Sequence, residues 1–272
     1  MTVQSHYVLG HADVEIERLE LQASIIASVT RRLIRECGIE SGMRVLDIGC
    51  GIGDVAMLLA VAVGESGTVV AFDREARAIE TAQARAAAAG FRQIEFVVAA
   101  DDAMGVRPEF DAVFGRYILH HQADPVAMLR RARAATRRGG IVAFHEPAGH
   151  VDTQTMPTVD LFVRLEECLN AAFAANLQQR TIGGRLTGAF EQAGLPTPRV
   201  IWESIAGNHA SPLWRLAALT YRSMLPQIIH LGLAAADIGN PDTLADRLMA
   251  AAAAVRAQIV SKPQACAWAI RT

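Results

Sequence analysis

The segment Val45-Leu46-Asp47-Ile48-Gly49-Cys50-Gly51-Ile52-Gly53-Asp54 holds the residues with the clearest capacity for chemistry. An apolar run that enters three alternate glycines and leaves into a second apolar run can build a nucleotide site. The glycines let backbone approach a ligand closely, and a helix starting there offers free N–H groups. An ordinary strand-to-helix turn uses glycine too, but three of them between a clean strand and a clean helix favour the ligand reading. The spacing GxGxG departs from the dinucleotide fingerprint GxGxxG. Asp47, at the strand end, would oppose a pyrophosphate, whereas it suits a ligand carrying an ammonium group near a sulfonium. Asp73, at the end of the next apolar run, is placed to accept from ribose hydroxyls. The balance favours S-adenosylmethionine (SAM) over a nicotinamide dinucleotide.

Such residues must be positioned by regular elements. Residues 13 to 37 carry Ile16, Leu19, Ile26, Val29, Leu33 and Ile34 at helical spacing, ending near Gly38. Strands are expected at 43–48, 68–72, 94–98, 110–114 and 141–144, the last entered from the turn Gly139-Gly140. Helices are expected over 55–63, over 75–89 with Gly90 closing it, and over 124–136 with Pro125 in the first turn. Strands alternating with such helices predict an α/β fold, a parallel, doubly wound Rossmann-like sheet with helices on both faces. Beyond Pro147 the spacing predicts helices near 157–179, 185–193, 212–231 and 241–260, with further strands at 200–202 and 265–270. No linker or internal repeat interrupts the chain. The expectation is one domain: an N-terminal lid helix at 1–39, a binding core at 40–147, and a helical insertion at 148–272 that completes the sheet.

On these motifs the chain resembles the class I SAM-dependent methyltransferases. The likeness runs from Tyr7-Val8-Leu9-Gly10 and Arg18-Leu19-Glu20-Leu21-Gln22-Ala23 to Gly140-Ile141-Val142-Ala143-Phe144, and more loosely to Ala267-Trp268-Ala269. It is nearest to bacterial small-molecule methyltransferases of specialised metabolism that carry GR-x-x-L-x-x-x-x-DP, here Gly115 to Pro125. The resemblance implies that Asp47, Gly49, Gly51 and Gly53 surround the methionine moiety, and that Asp73, with Arg74 beside it, serves the ribose. It implies that Asp101 or Asp102 faces the adenine amine with Ala103 beside the ring; an extra residue there leaves the choice of Asp open. Arg116 falls where the family lines the methionine end, or equally forms an ion pair with Glu146. Tyr7 and Gln22 lie on the segment that closes over the cofactor.

Methyl transfer is a displacement from a good leaving group, so alignment and exclusion of water matter most. A base is needed only for a protonated nucleophile, and His120, His121, His145 and Glu146 sit at the carboxyl ends of the fourth and fifth strands. His145 could act as a base. It could also join His209 in a two-histidine site for a divalent metal ion that stabilises an enolate, which suits C-methylation beside the keto group of an α-keto acid. A lone histidine at a strand end is more often a hydrogen-bonded pocket residue than a ligand. Arg164, Arg180, Arg215 and Arg222 could anchor an acceptor carboxylate. O- or N-methylation, and a non-catalytic SAM-binding regulator, remain alternatives.

Composition narrows the rest. The 272 residues are 51% hydrophobic and 20% charged with a formal net charge of -2, which excludes intrinsic disorder. Near-neutral charge without basic runs argues against a nucleic-acid partner. The longest apolar run, Val55 to Val63, is far short of the roughly 20 residues of a membrane span. Four widely spaced cysteines without CxxC, and no signal pattern, predict a cytoplasmic protein with reduced thiols. The expected partner is a small-molecule acceptor, with no membrane, and the alanine-rich helices allow a homodimer.

Overall fold

The computed structural model describes residues 13–99, 109–149, 151–177, 179–233 and 238–272. In chain order its elements are α1 (Asp13–Cys37), β1 (Arg44–Ile48), α2 (Asp54–Val63), β2 (Thr68–Asp73), α3 (Ala76–Ala88) and β3 (Ile94–Val98). They continue with β4 (Phe110–Arg116), a 3-10 turn at Leu119–His121, α4 (Pro125–Ala135), β5 (Thr136–Pro147), β6 (Gln154–Met156) and α5 (Asp160–Asn176). A 3-10 turn at Ile182–Arg185, α6 (Leu186–Gln192), β7 (Arg199–Glu203), β8 (Ala206–Gly207) and α7 (Pro212–His230) follow. The chain then forms α8 (Leu244–Ala254), β9 (Gln258–Val260) and β10 (Gln264–Ile270).

These elements divide between two compact units. One comprises the described residues within Ile26–His150, Gln178–Glu203 and Pro263–Thr272. It is built on a seven-stranded sheet of order β3-β2-β1-β4-β5-β10-β7. Strands β1 to β5 pair in parallel, and the central β1 and β4 and the carboxyl half of β5 are apolar and largely buried on both faces. The strand expected at 265–270 completes the sheet as β10, which runs antiparallel to both β5 and β7. Its run Ala265 to Ala269 is buried on both faces, so it lies inside the sheet rather than at an edge. The core on one face gathers Leu46, Val113, Phe144, Leu129, Phe190 and Ala267 among others. Residues 179–203 therefore belong with the sheet, because Leu186, Ala189 and Phe190 of α6 fill its core and β7 pairs with β10.

Alanine sets the spacing of this unit. Ala78, Ala82 and Ala86 line the buried face of α3, four residues apart, while Glu80 and Arg77 face out. Small side chains let the helix approach the sheet closely, so the apolar excess is packing. Asp124 caps α4 by accepting from the Ala127 N–H at 2.9 Å, with Pro125 at its first position. That helix ends at Ala135, and β5 starts at Thr136, five residues before the expected strand.

The other unit comprises the described residues within Met1–Ile25, Val151–Leu177 and Ser204–Lys262. Helices α5, α7 and α8 pack around Phe162, Trp214, Tyr221, Met224 and Leu248, and Phe162 meets Trp214 edge-to-face at 5.4 Å. Beside them lies a small antiparallel sheet of order β6-β9-β8 that periodicity did not anticipate. The helix expected to reach residue 260 stops at Ala254. Arg256 takes a positive φ of 54°, and Ile259 then enters β9. No helix among the described residues is long and apolar enough to cross a membrane.

Candidate functional site

Strand order places the site. β1 and β4 are neighbours whose onward connections leave toward opposite sides of the sheet, so a crevice opens at their carboxyl ends. The turn after β1 lines it. Gly49, Gly51 and Gly53 all adopt positive φ, at 62°, 53° and 86°. Each glycine answers a different demand. A Cβ on Gly49 would fall 2.2 Å from Ile118 Cδ1, and one on Gly53 would fall 3.0 Å from Ala82 Cβ. A Cβ on Gly51 would meet nothing within 4 Å, so that glycine serves conformation and open space, not packing. The Cys50 N–H donates to the Phe72 carbonyl at 2.9 Å and fastens the turn to β2.

Two carboxylates frame this turn. Asp73 accepts from the Gly51 N–H at 2.9 Å through Oδ2 and from the Glu75 N–H at 3.0 Å through Oδ1. It thus holds both loops at the ends of β1 and β2 in register. Asp47 is 1% exposed. The Ala56 N–H, in the first turn of α2, donates to it, but its Oδ2 meets no hydrogen-bond donor. Burial pushes its pKa up to about 8; the Arg116 charge opposes that rise, and Asp73 and Asp54 add to it. A buried carboxylate oxygen without a partner is costly. Asp47 stands two residues before the first of the three left-handed glycines, so this oxygen lies at the start of the turn.

Across the crevice lies a polar cluster at the ends of β4 and β5. Glu146 is fully buried. Its Oε1 accepts from the Ile118 and Leu119 N–H groups at 2.8 Å each, and its Oε2 lies 2.7 Å from His120 Nδ1 and 3.4 Å from the His120 backbone N. One side chain therefore holds the 3-10 turn that seats Ile118 over Gly49. His145 is fully buried as well. Its Nδ1 lies 3.2 Å from Thr30 Oγ1 and its Nε2 lies 3.0 Å from Gln264 Oε1, which also accepts from the Tyr117 hydroxyl at 2.6 Å. An amide oxygen accepts only, so His145 carries its proton on Nε2, while the Thr30 hydroxyl beside Nδ1 also lies within donating distance, 3.3 Å, of the Ile26 carbonyl. Burial, with the Arg116 charge second, pulls the His145 pKa down to about 3.

These contacts revise the catalytic expectations. Both His145 nitrogens lie within hydrogen-bond distance of neighbours, which speaks against a base or metal-ligand role for this side chain. His209 lies exposed in a turn of the helical unit. Among the described residues no group of three or more His, Cys, Asp or Glu side chains could hold a metal ion. The Arg116–Glu146 ion pair is replaced by other partners: Glu146 serves the turn, and Arg116 donates to Thr30 Oγ1 at 3.4 Å. Half-buried His121 stacks on His120, ring centroids 4.0 Å apart. Gln22 lies in the helical unit, where its Oε1 accepts from Arg18 at 2.6 Å. Arg74 is exposed beside Glu75. Arg215 pairs with Glu17 and Arg222 with Asp242. Tyr7, Asp101, Asp102 and Ala103 lie outside the described residues.

Three members of the cluster escaped sequence reasoning: Thr30, Tyr117 and Gln264. Tyr117 adopts φ 59°, a conformation tyrosine rarely takes, and sits edge-on to His120 and His145. Nothing in its neighbours signals this. Gln264 is separated from His145 by over a hundred residues, and only the pairing of β10 with β5 brings them together.

The buried neutral imidazole has a consequence for stability. A group whose folded pKa is depressed contributes stability above its unfolded value, near 6.5, and that contribution is lost as pH falls toward 3. Denaturant unfolding is expected to show about 1.4 kcal/mol lost per pH unit in that window from this group. His145→Gln should lose that component of the slope while remaining folded at pH 7. Identical slopes in both proteins would show that His145 does not carry it.

Comparison with known proteins fits this geometry. The family model described as a methyltransferase domain matches residues 39–194. An aklanonic acid methyltransferase of Streptomyces is 35% identical over 124 residues, covering 45% of this chain and 56% of that one. A 2-phytyl-1,4-naphthoquinone methyltransferase of Synechococcus elongatus is 32% identical over 127 residues, covering 43% and 52%. The chain thus spans about half the length of the curated relatives it matches. A SAM-dependent methyltransferase structure from Aquifex aeolicus shares the fold with a TM-score of 0.51 at 17% identity, over 68% of this chain and 91% of that one. The glycine turn, its two carboxylates and the matched span lie in one stretch of sequence, and the chain belongs to the methyltransferase-domain family.

Proposed function

We propose that this protein transfers a methyl group from SAM to a small acceptor bearing a carbonyl group. The observation that carries the reading is Asp47 Oδ2, buried without a donor beside three glycines in left-handed conformation. When bound, SAM supplies an electrophilic methyl on a sulfonium. Asp47 gives its free oxygen to a cationic group, and the Gly51 backbone leaves room for the ligand. Asp73 keeps lone pairs beyond those used by Gly51 and Glu75, enough to accept from a pair of hydroxyls. Glu146, His145 and Gln264 hold the opposite wall as a satisfied network.

The commitment of His145 and Glu146 to structure favours an acceptor that needs no strong base. A carbon or oxygen acid activated by its own carbonyl meets that condition, and the relatives' names, an acid and a quinone, describe such molecules. C-methylation beside the keto group of an α-keto acid is the narrowest form of the proposal.

Calorimetric titration with SAM tests the first step. The wild-type chain should bind, and Asp73→Ala should weaken binding about 10- to 100-fold, the worth of charge-assisted hydrogen bonds. Formation of S-adenosylhomocysteine with keto acids or quinols, and none without acceptor, would establish transfer. Binding without turnover across those acceptors would favour a SAM-binding regulator, and the absence of binding would overturn the reading.

A further inference from the structure

The seven-stranded sheet ends at β7, and among the described residues no strand pairs with its outer edge. An edge strand directs alternate N–H and C=O groups outward, a template for another strand. One way proteins blunt such edges is to place a charge within the strand. Here the charges stand at its two ends, in the sequence Arg199-Val200-Ile201-Trp202-Glu203. Between them Val200 is 41% and Trp202 45% exposed. Both point to the same side of the sheet, since alternate residues of a strand share a face.

That sequence is complementary to itself. If two copies of β7 meet antiparallel across a two-fold axis through Ile201, Arg199 of each strand lies opposite Glu203 of the other. Val200 lies opposite Trp202, and Ile201 opposite its own mate. The arrangement forms two cross-strand ion pairs on one face and two aromatic–β-branched pairs on the other, both favoured partnerships in antiparallel sheets. It also preserves parity: whichever alternate residues direct their backbone groups outward meet residues that do the same. Pairing β7 parallel, or one residue out of register, would lose the charge match.

We propose that β7 is the interface through which two copies of this chain associate, an isologous edge-to-edge contact that makes the two sheets continuous. The existing contacts of the end residues are compatible with it. Arg199 lies over the Trp268 ring at 5.0 Å, and Glu203 accepts from Arg32 at 2.9 Å, so both are already held near the strand with part of their surface exposed. The inference rests on the edge alone and does not depend on the methyl-transfer reading.

A charge swap tests it on the full chain. Light scattering coupled to gel filtration should give twice the 29.2 kDa of one chain. Arg199→Glu and Glu203→Arg should each give the single-chain mass, because like charges then face across the axis. The double variant R199E/E203R should regain the doubled mass. A second measurement does not rely on those variants folding. Ile201→Cys places two thiols opposite each other, with Cα atoms about 4.5–5.5 Å apart, within disulfide range. Mild oxidation should link the copies, whereas Thr197→Cys, away from the axis, should not link. Cys266 lies opposite Ile201 in the β10–β7 register, so the linkage is read in a Cys266→Ala background, where the other three native cysteines are buried. A wild-type chain that stays at the single-chain mass through the micromolar range would overturn the proposal. So would a doubled mass that survives both single reversals, or the failure of Ile201→Cys to link.

Discussion

Asp47→Asn is expected to weaken SAM binding about 100-fold or more and, in the same protein, to raise stability. The two effects have one cause. Burial pushes the Asp47 pKa up to about 8, so the folded chain without ligand holds a proton there that the unfolded chain releases near pH 4. Between those values the folded state binds more protons than the unfolded state, and stability falls as pH rises. By pH 7 the linkage amounts to at most about 4 kcal/mol. An asparagine removes it and still offers an oxygen to the Ala56 N–H. Relaxation at the site reduces the gain, and about 1–2 kcal/mol, or about 5 °C in Tm, is the expected rise. Binding moves the other way, because a neutral amide cannot balance a cationic ligand. A loss of about 100-fold or more follows from removing a buried charge partner.

The wild-type protein supplies an internal check. A cation beside Asp47 favours the carboxylate, so binding should release a proton below pH 8 and tighten as pH rises to that value. Calorimetry in buffers of different ionisation enthalpy reads the release directly. A variant that binds SAM like wild type, or a wild type that releases no proton, would show that Asp47 does not meet the ligand's charge.

The same residue shows how far sequence alone could reach. Asp47, Asp73 and the three glycines lie within 27 consecutive residues, and their placement follows from local rules: strands end, glycines turn, helices begin. Local rules therefore sufficed for that half of the site. The opposite wall is built from Thr30, Tyr117, Glu146, His145 and Gln264, drawn from α1, the end of β4, β5 and β10. Which of these meet depends on a strand order and on the reversed direction of β10, neither of which periodicity encodes. His145 illustrates the cost. A histidine at a strand end suggested a base or a ligand, but its ring nitrogen meets Gln264, which a long stretch of chain separates from it. The fold was affected in the same way. Continuous apolar runs predicted the central strands correctly, yet a buried strand reads the same in either direction, so β10 was expected without its orientation. The short β6, β8 and β9 have two or three residues each, too few to show an alternation.

Glu146 separates a structural account from a catalytic one most sharply. Its carboxylate accepts two backbone N–H groups at 2.8 Å and meets His120 Nδ1 at 2.7 Å, from a fully buried position. Glu146→Ala leaves those donors without an acceptor and opens a cavity the size of a carboxyethyl arm. Each unsatisfied buried donor costs about 1–3 kcal/mol, so a total loss of about 3–5 kcal/mol is expected, a fall of about 10 °C or more in Tm. Glu146→Gln keeps an oxygen for the Ile118 and Leu119 N–H groups but presents an NH₂ group toward His120. That ring can still pair by offering Nδ1 as an acceptor, so the cost should be nearer 1 kcal/mol. SAM affinity should follow stability: Ile118 packs over Gly49, and a loosened turn releases the glycine loop. Turnover per bound enzyme in Glu146→Gln should then stay within about tenfold of wild type, less than the 10²–10⁴-fold loss that removing a general base produces. A Gln variant as stable as wild type but inactive would make Glu146 a base. A destabilised Ala variant beside a working Gln variant would make it the pin that holds the loop after β4 against the glycine turn.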